Sequence, residues 1–178
     1  MIITISGKPG SGKSSVAKML SARLGMKHYS IGDLRRKWAE EKGMTLAEYN
    51  TLGEMDDSTD KDADDHLKRL GEEEDDFVID ARLGMHFIPK SFKVFLDVNP
   101  KVGARRIFKD QRHGDKAATV EEVEKLFHQR QDSDKKRYQK YYGIDPFDTS
   151  HYDLVIDGSN LTVEATVEKV LEGLPKDI

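Results

Sequence analysis

Five short apolar runs punctuate the chain, over residues 2–6, 27–30, 77–80, 93–97 and 153–157. They are rich in Val, Ile and Phe and do not alternate with polar residues; the second is the weakest. That is the pattern of strands covered on both faces of a parallel sheet. Between them, apolar positions recur at helical spacing. Over residues 14–24, Val16, Leu20 and Leu24 form one stripe, and Gly25 supplies a stop. Over 34–41, Leu34 and Trp38 stand one turn apart. Thr45 with Glu48, and Thr119 with Glu122, each fit a capping box and mark helix starts. A last helix over 163–171 ends before Gly173 and Pro175. The alternation of strand and helix predicts an α/β fold with a parallel sheet.

Two stretches exceed what a plain crossover needs. Residues 34–76 hold two or three helical patterns between the second and third strands. Residues 105–142 form a long, charged, mostly helical excursion between the fourth and fifth. Both read as lobes standing over the carboxyl edge of the sheet. With 178 residues and no internal repeat or low-complexity linker, the expectation is one domain over 1–178.

Composition narrows the function classes. Hydrophobic residues make up 37% and charged residues 35%, polar for a globular chain, yet the apolar runs suffice for a core. The net charge of −4 offers no basic face for nucleic acid or an anionic membrane, so neither is expected as a partner. An acidic chain still binds an anionic ligand when its cations gather in one cleft. The absence of cysteine excludes disulfides, thiolate metal sites and cysteine nucleophiles. No signal-peptide pattern opens the chain, and no apolar run approaches the roughly 18 residues of a membrane span. A cytoplasmic monomer is expected.

The first strand runs into Gly7-Lys8-Pro9-Gly10-Ser11-Gly12-Lys13-Ser14, which matches G-x-x-x-x-G-K-[ST] between a strand and an amphipathic helix. The chemistry requires those residue types. Glycines let backbone N–H groups turn inward and approach phosphate oxygens. The helix N-terminus adds its dipole. Lys13 reaches the β- and γ-phosphates and Ser14 ligates Mg²⁺. This is a Mg²⁺–nucleoside triphosphate site. None of the three asparagines, Asn50, Asn99 and Asn160, begins the Asn-Lys-x-Asp guanine reader of GTPases.

Transfer to a second phosphorylated molecule needs several arginines converging from different segments. Candidates stand where strands end or lobes begin. Asp33 and Arg36 lie one turn apart in Ser30-Ile-Gly-Asp-Leu-Arg-Arg36, although Asp33 alone reads equally well as a helix N-cap. Asp80 and Arg82 end the third strand at the edge where α/β ligands bind, Asp80 placed to hold a Mg²⁺-bound water and Arg82 to grip a phosphate. Arg105 and Arg106 begin the second lobe. Arg130, Asp134 and Arg137, at i, i+4 and i+7, share one helix face. An ordinary surface ion pair between Arg130 and Asp134 is the plainer alternative.

The chain resembles the adenylate-kinase-like nucleoside monophosphate kinases, most of all the short archaeal-type cytidylate kinases. The resemblance rests on ITISGKPGSGKSSVAKML, YSIGDLRR, VIDARL, FLDVNP, QRQDSDKKRYQKYYGID and YDLVIDGS, spread over nearly the whole chain. It implies a three-layer α/β/α P-loop fold with a five-stranded parallel sheet of order 2-3-1-4-5. It also implies a monophosphate-binding lobe near 33–75 and a LID near 107–130. ATP would be held by Gly7, Lys8, Pro9, Gly10, Ser11, Gly12, Lys13, Ser14, Ser15 and Arg106, with Mg²⁺ at Ser14 and, through water, Asp80. The loop at 157–160 would lie against the adenine. CMP or dCMP would be held by Asp33, Arg36, His66, Arg82, Arg130, Asp134 and Arg137. Lys13, Arg82, Arg130 and Arg137 would carry the transfer.

Two positions depart from the family pattern. His66 stands where that pattern has an arginine, leaving Asp64 with His66 to read the base. Asp110 stands four residues after Arg106 where a second LID arginine belongs, with Arg112 as the substitute. Another monophosphate kinase using AMP or UMP, or a P-loop ATPase acting as a switch, remains an alternative. The acidic runs over 56–65 and 72–76 lack the glycine and ligand spacing of a calcium loop and read as solvated lobe surface. The six histidines show no His-x₃-His pair, which argues against zinc. Lys135-Lys-Arg-Tyr138 reads as a solvated helix side rather than a nucleic-acid patch.

Overall fold

The computed structural model describes residues 1–55, 58–110 and 119–176, omitting the side chains of 47, 53–55 and 58–59. Its sheet contains β1 (Ile2–Gly7), β2 (Lys27–Ser30), β3 (Phe77–Asp80), β4 (Phe92–Asp97) and β5 (Leu154–Asp157). All neighbours are parallel, in the order β2-β3-β1-β4-β5. Every residue of the central strands β1 and β3 is buried, as the unbroken apolar runs predict. The edge strands differ. In β5 only Ile156 is buried, and Val155 is 44% exposed. The expectation of burial on both faces therefore holds for the centre of the sheet and fails at its edges.

Helices α1 (Lys13–Leu24) and α8 (Val163–Gly173) cover one face. Val16, Ala17 and Leu20 meet Val167 and Val170 over Ile3, Ile5, Val78, Val94 and Leu96. On the other face lie α4 (Ser58–Glu73), the short α5 (Gly84–Phe87) and the 23-residue α7 (Val120–Tyr142). Leu67 and Leu70 of α4 pack with Ile2, Phe77, Ile79 and Ile88, and the Tyr142 ring meets Phe87 edge-on at 5.3 Å. The result is three layers, α/β/α.

The first lobe comprises α2 (Ile31–Glu41), α3 (Leu46–Met55) and α4. Both capping residues begin helices as predicted. Thr45 and Glu48 exchange backbone-to-side-chain bonds at 2.7 and 3.2 Å, and the Thr119 hydroxyl accepts from the Glu122 N–H. α2 starts earlier than its apolar pattern suggests, because the Ser30 hydroxyl caps it by accepting from the Asp33 N–H. The N-cap is thus Ser30, and Asp33 lies inside the first turn. The second excursion comprises α6 (Pro100–Asp110) and α7. Residues 111–118, including Arg112, lie outside the described residues.

Candidate functional site

The loop after β1 takes its shape from two close approaches. Gly10 has φ +73°, and a Cβ there would fall 2.4–2.7 Å from the backbone of Gly103 in α6. A Cβ on Gly103 would in turn meet the Pro9 carbonyl oxygen at 2.9 Å. Two glycines from distant segments therefore let the loop sit directly on α6. Gly103 lies outside the motif, and no local pattern marks it.

Within the loop, the Lys13 ammonium donates to the Lys8 carbonyl at 2.9 Å. Burial, reinforced by repulsion from Arg82 and Arg130, pushes its pKa from 10.5 down to about 7. The two arginines, from the ends of β3 and the middle of α7, thus share an electrostatic neighbourhood with the loop. Ser11 is buried, and its hydroxyl makes no hydrogen bond among the described residues. Lys8 itself pairs with Asp97 at the end of β4, at 2.6 Å. Ser15 is exposed one residue beyond Ser14.

Asp80, 6% exposed, is the hub between the loop and the first lobe. Its Oδ1 accepts from Ser14 at 3.2 Å and from Ser30 at 3.1 Å, and its Oδ2 faces His28 Nε2 at 3.3 Å. Burial raises its pKa, while the Ser30 hydrogen bond and the Lys13 charge oppose the rise. The Ser14 hydroxyl and Asp80 carboxylate are an oxygen donor pair at the mouth of the loop. Mg²⁺ keeps several waters and takes one or two protein oxygens besides substrate phosphates, and this pair fits it. Among the described residues there is no group of three acidic or histidine side chains that would suit a fully protein-bound metal.

Beyond Asp80, Arg82 is set by β1: the Ala81 N–H donates to the Ile5 carbonyl, and the Ser6 hydroxyl to the Arg82 carbonyl. Its guanidinium bonds Asp134 of α7. Asp134, 2% exposed, also accepts from Arg137 Nη2 at 2.6 Å. Arg137 Nη1 reaches Asp60 of α4 at 3.0 and 3.2 Å, and Arg35 of α2 donates to the same carboxylate at 3.0 Å. Arg35 is anchored further by Asn50 of α3 at 3.0 and 3.3 Å. A chain of alternating charge thus joins β3, α7, α4 and α2. Arg130 is exposed one turn away on α7, its charge felt at Lys13.

Neighbouring arginines of α2 divide their work. Arg35 turns inward, whereas Arg36 stays half exposed at the helix start, bonded to Asp33.

The reading of residues 56–65 as solvated surface is overturned at two positions. Asp60 and Asp64 are 2% and 6% exposed. Their spacing explains it: residues 60, 63, 64, 67 and 70 form one helical stripe, and Ala63, Leu67 and Leu70 on it are core. That stripe was legible; the density of aspartates hid it. Asp64 bonds the Tyr142 hydroxyl, and burial lifts its pKa to about 6.

His66, two positions on, faces away from Asp64, since i and i+2 do not share a helix face. It lines a cavity of about 410 Å³ with His28, Tyr29, Ser30, Asp33 and Lys37. The pair of Asp64 with His66 expected to read the base is therefore not assembled. Arg106 reaches the loop after β5. Its Nη2 donates to the carbonyls of Gly158, Ser159 and Leu161 at 2.8–3.3 Å, so it shapes the loop after β5.

Comparison with known proteins agrees with this architecture. The model of the cytidylate kinase-like family matches residues 2–160. The cytidylate kinase of Halobacterium salinarum is 38% identical over 176 residues, covering 98% of this chain and 89% of the relative. That of Methanocella arvoryzae is 37% identical and covers 99% of both. Among solved structures, a shikimate kinase from Bacteroides thetaiotaomicron aligns over 97% of each chain with TM-score 0.69 at 17% identity, which speaks to fold alone.

Proposed function

Because the chain belongs to the cytidylate kinase-like family, we propose that it transfers the γ-phosphoryl group of ATP to CMP or dCMP, giving ADP and CDP or dCDP. The observation that carries this reading is the double use of Asp80. One carboxylate oxygen accepts from Ser14 of the phosphate loop and from Ser30 at the start of α2, so donor and acceptor segments share a single anchor.

ATP lies in the loop formed by Gly7 to Ser15, its phosphates drawing the backbone N–H groups of Gly10, Gly12 and Lys13 and the unpartnered Ser11 hydroxyl. Lys13, weakly basic in the free protein, becomes fully charged beside the phosphates and stabilises the equatorial oxygens. Arg106 acts on ATP through the 157–160 loop that it holds. Mg²⁺, held by Ser14 and through water by Asp80, supplies charge neutralisation of the phosphates.

The acceptor phosphate meets Arg36, beside Asp33, and Arg82 at the carboxyl edge of the sheet. Arg130 and Arg137 bridge it to the γ-phosphoryl group, with Asp134 beside the sugar. His66 lies toward the base, on the cavity that begins at Ser30 and Asp33. Transfer is direct and in line, without a covalent enzyme intermediate. The LID proposed near 107–130, of which 111–118 lie outside the described residues, would serve to exclude water, which would otherwise accept the phosphoryl group. The enzyme works as a cytoplasmic monomer on small nucleotides; among the described residues no helix is long and apolar enough to cross a membrane.

An acceptor screen by coupled ADP release over CMP, dCMP, UMP, AMP and GMP tests this reading. CMP and dCMP should dominate. A preference for AMP or UMP would move the chain to another monophosphate specificity, and hydrolysis indifferent to every monophosphate would make it an ATPase switch.

A further inference from the structure

The alternating chain Arg35–Asp60–Arg137–Asp134–Arg82 crosses from the first lobe to the sheet edge. Asp60 is its middle, and it touches both a lobe arginine and an α7 arginine. We propose that Asp60 is a positioning residue for phosphoryl transfer: from α4 it aims the Arg137 guanidinium, and with it the Asp134–Arg82 pair, so that setting the first lobe and setting the phosphate-binding arginines are one event. The proposal rests on the acceptor role of Arg82 and Arg137 given above.

Four observations support it. Asp60 takes Arg137 Nη1 with both oxygens, at 3.0 and 3.2 Å, while Asp134 takes Nη2 at 2.6 Å, so two separate nitrogens are held and the plane of the guanidinium is fixed. Arg137 Nη2 is taken by Asp134, yet the buried Nε makes no hydrogen bond among the described residues. A buried guanidinium N–H left over in this way is a donor available to a further acceptor. Three guanidiniums meet two carboxylates along the chain, so one positive charge is uncompensated within it, as an anion site requires. Finally, Asp60 is 2% exposed, and a buried ion network contributes less to stability than well-packed apolar side chains of similar volume. Orientation of the arginines is the physical gain from keeping charges there.

The coupling also has a direction. Arg35 lies in α2, the helix that carries Arg36 and begins at Ser30. Movement of α2 onto an acceptor is transmitted through Arg35 to Asp60 and so to α7. A misaimed group even about 1 Å away from its productive position can cost on the order of 100-fold in rate.

The test is steady-state kinetics on Asp60→Asn, Arg137→Lys and the double variant, with the best acceptor from the screen above. Asp60→Asn should lower kcat by about 10- to 100-fold while the KM for ATP stays within about twofold. Asp60→Glu, which keeps the charge but shifts it by one methylene, should recover part of the loss. The double variant should be no slower than the slower single variant, because Asp60 acts through Arg137.

Unchanged kcat in Asp60→Asn overturns the proposal, and so do multiplicative losses in the double variant, which mark a merely structural role. If Asp60→Asn does not fold, Asp60→Glu alone decides: a kcat loss at constant ATP KM supports the proposal, and wild-type kinetics overturn it. Failure of wild-type protein to phosphorylate CMP is a separate result. It overturns the acceptor assignment, and the Asp60 cycle is then read with whichever monophosphate is used.

Discussion

The halves of the site proposed to hold donor and acceptor are built in opposite ways. The donor half is one contiguous loop, residues 7–14, fixed by its own glycines, by the strand before it and by the helix after it. The acceptor half is collected from β3, α2, α4 and α7, through side-chain contacts spanning up to 77 residues of chain. The donor loop therefore depends on backbone conformation, and the acceptor site on where whole helices lie. A substitution inside the loop should act on ATP, whereas one in the ion chain should act on the acceptor, through several side chains at once.

The strongest break in this comparison is Lys13→Ala. It removes the ammonium proposed to meet the β- and γ-phosphates and should lower turnover about 10³-fold, read by coupled ADP release. Near-wild-type turnover would remove Lys13 from the chemistry. Next comes Arg82→Ala, which should cost on the order of 10²-fold in kcat/KM for the acceptor while ATP KM changes little. Equal damage to both substrates would erase the distinction between the halves.

Gly103→Ala sharpens the comparison from outside the motif. Its methyl would meet Pro9 O and the Phe127 ring at 2.9 and 3.1 Å. Overpacking of about 1–3 kcal/mol should raise ATP KM and leave acceptor KM nearly unchanged. A selective effect on the acceptor would contradict the loop-on-α6 geometry.

Proton linkage separates the halves without mutation. Lys13 in the free protein titrates near 7 and is largely neutral above that. Nearby phosphates raise its pKa, so ATP binding takes up a proton in the window above about pH 7, and affinity falls as pH rises through it. Below that window Lys13 is already charged and its uptake vanishes. Calorimetry at about pH 8.5 in buffers of different ionisation enthalpy should show uptake with ATP and none with CMP, whose phosphate is proposed to meet permanently charged arginines. The smallest effect is expected from Thr119→Ala, which removes the α7 cap for about 1 kcal/mol of stability, seen as a lower melting temperature with KM values unchanged.

Much of this was legible beforehand because it depends on neighbours in sequence. All five strands fell within a residue or so of their predicted positions, and the two capping boxes marked true helix starts. The P-loop followed from local spacing alone. The sequence offers the converging arginines as a set, with Asp134 and Asp33 as partners that the structure bears out, but not Asp60 or Arg35. Asp60 was hidden in an acidic run, and Arg35 was eclipsed by Arg36 beside it. Which of two adjacent arginines turns inward depends on the rotation of α2 against α3 and α4, and no local pattern records that rotation. The same holds for Asp64 and His66, assigned together by proximity in sequence and separated by the helix period.

The sequence by itself determined the sheet, the phosphate loop and the helix starts, because hydrophobic period, glycine placement and capping act over a few residues. Only the tertiary structure decided which carboxylates are buried, that Asp80 ties Ser14 to Ser30, and that Asp60 faces Arg137. Those contacts join residues 50 to 77 positions apart in sequence, and they exist only once the helices are docked and water has been driven from between them.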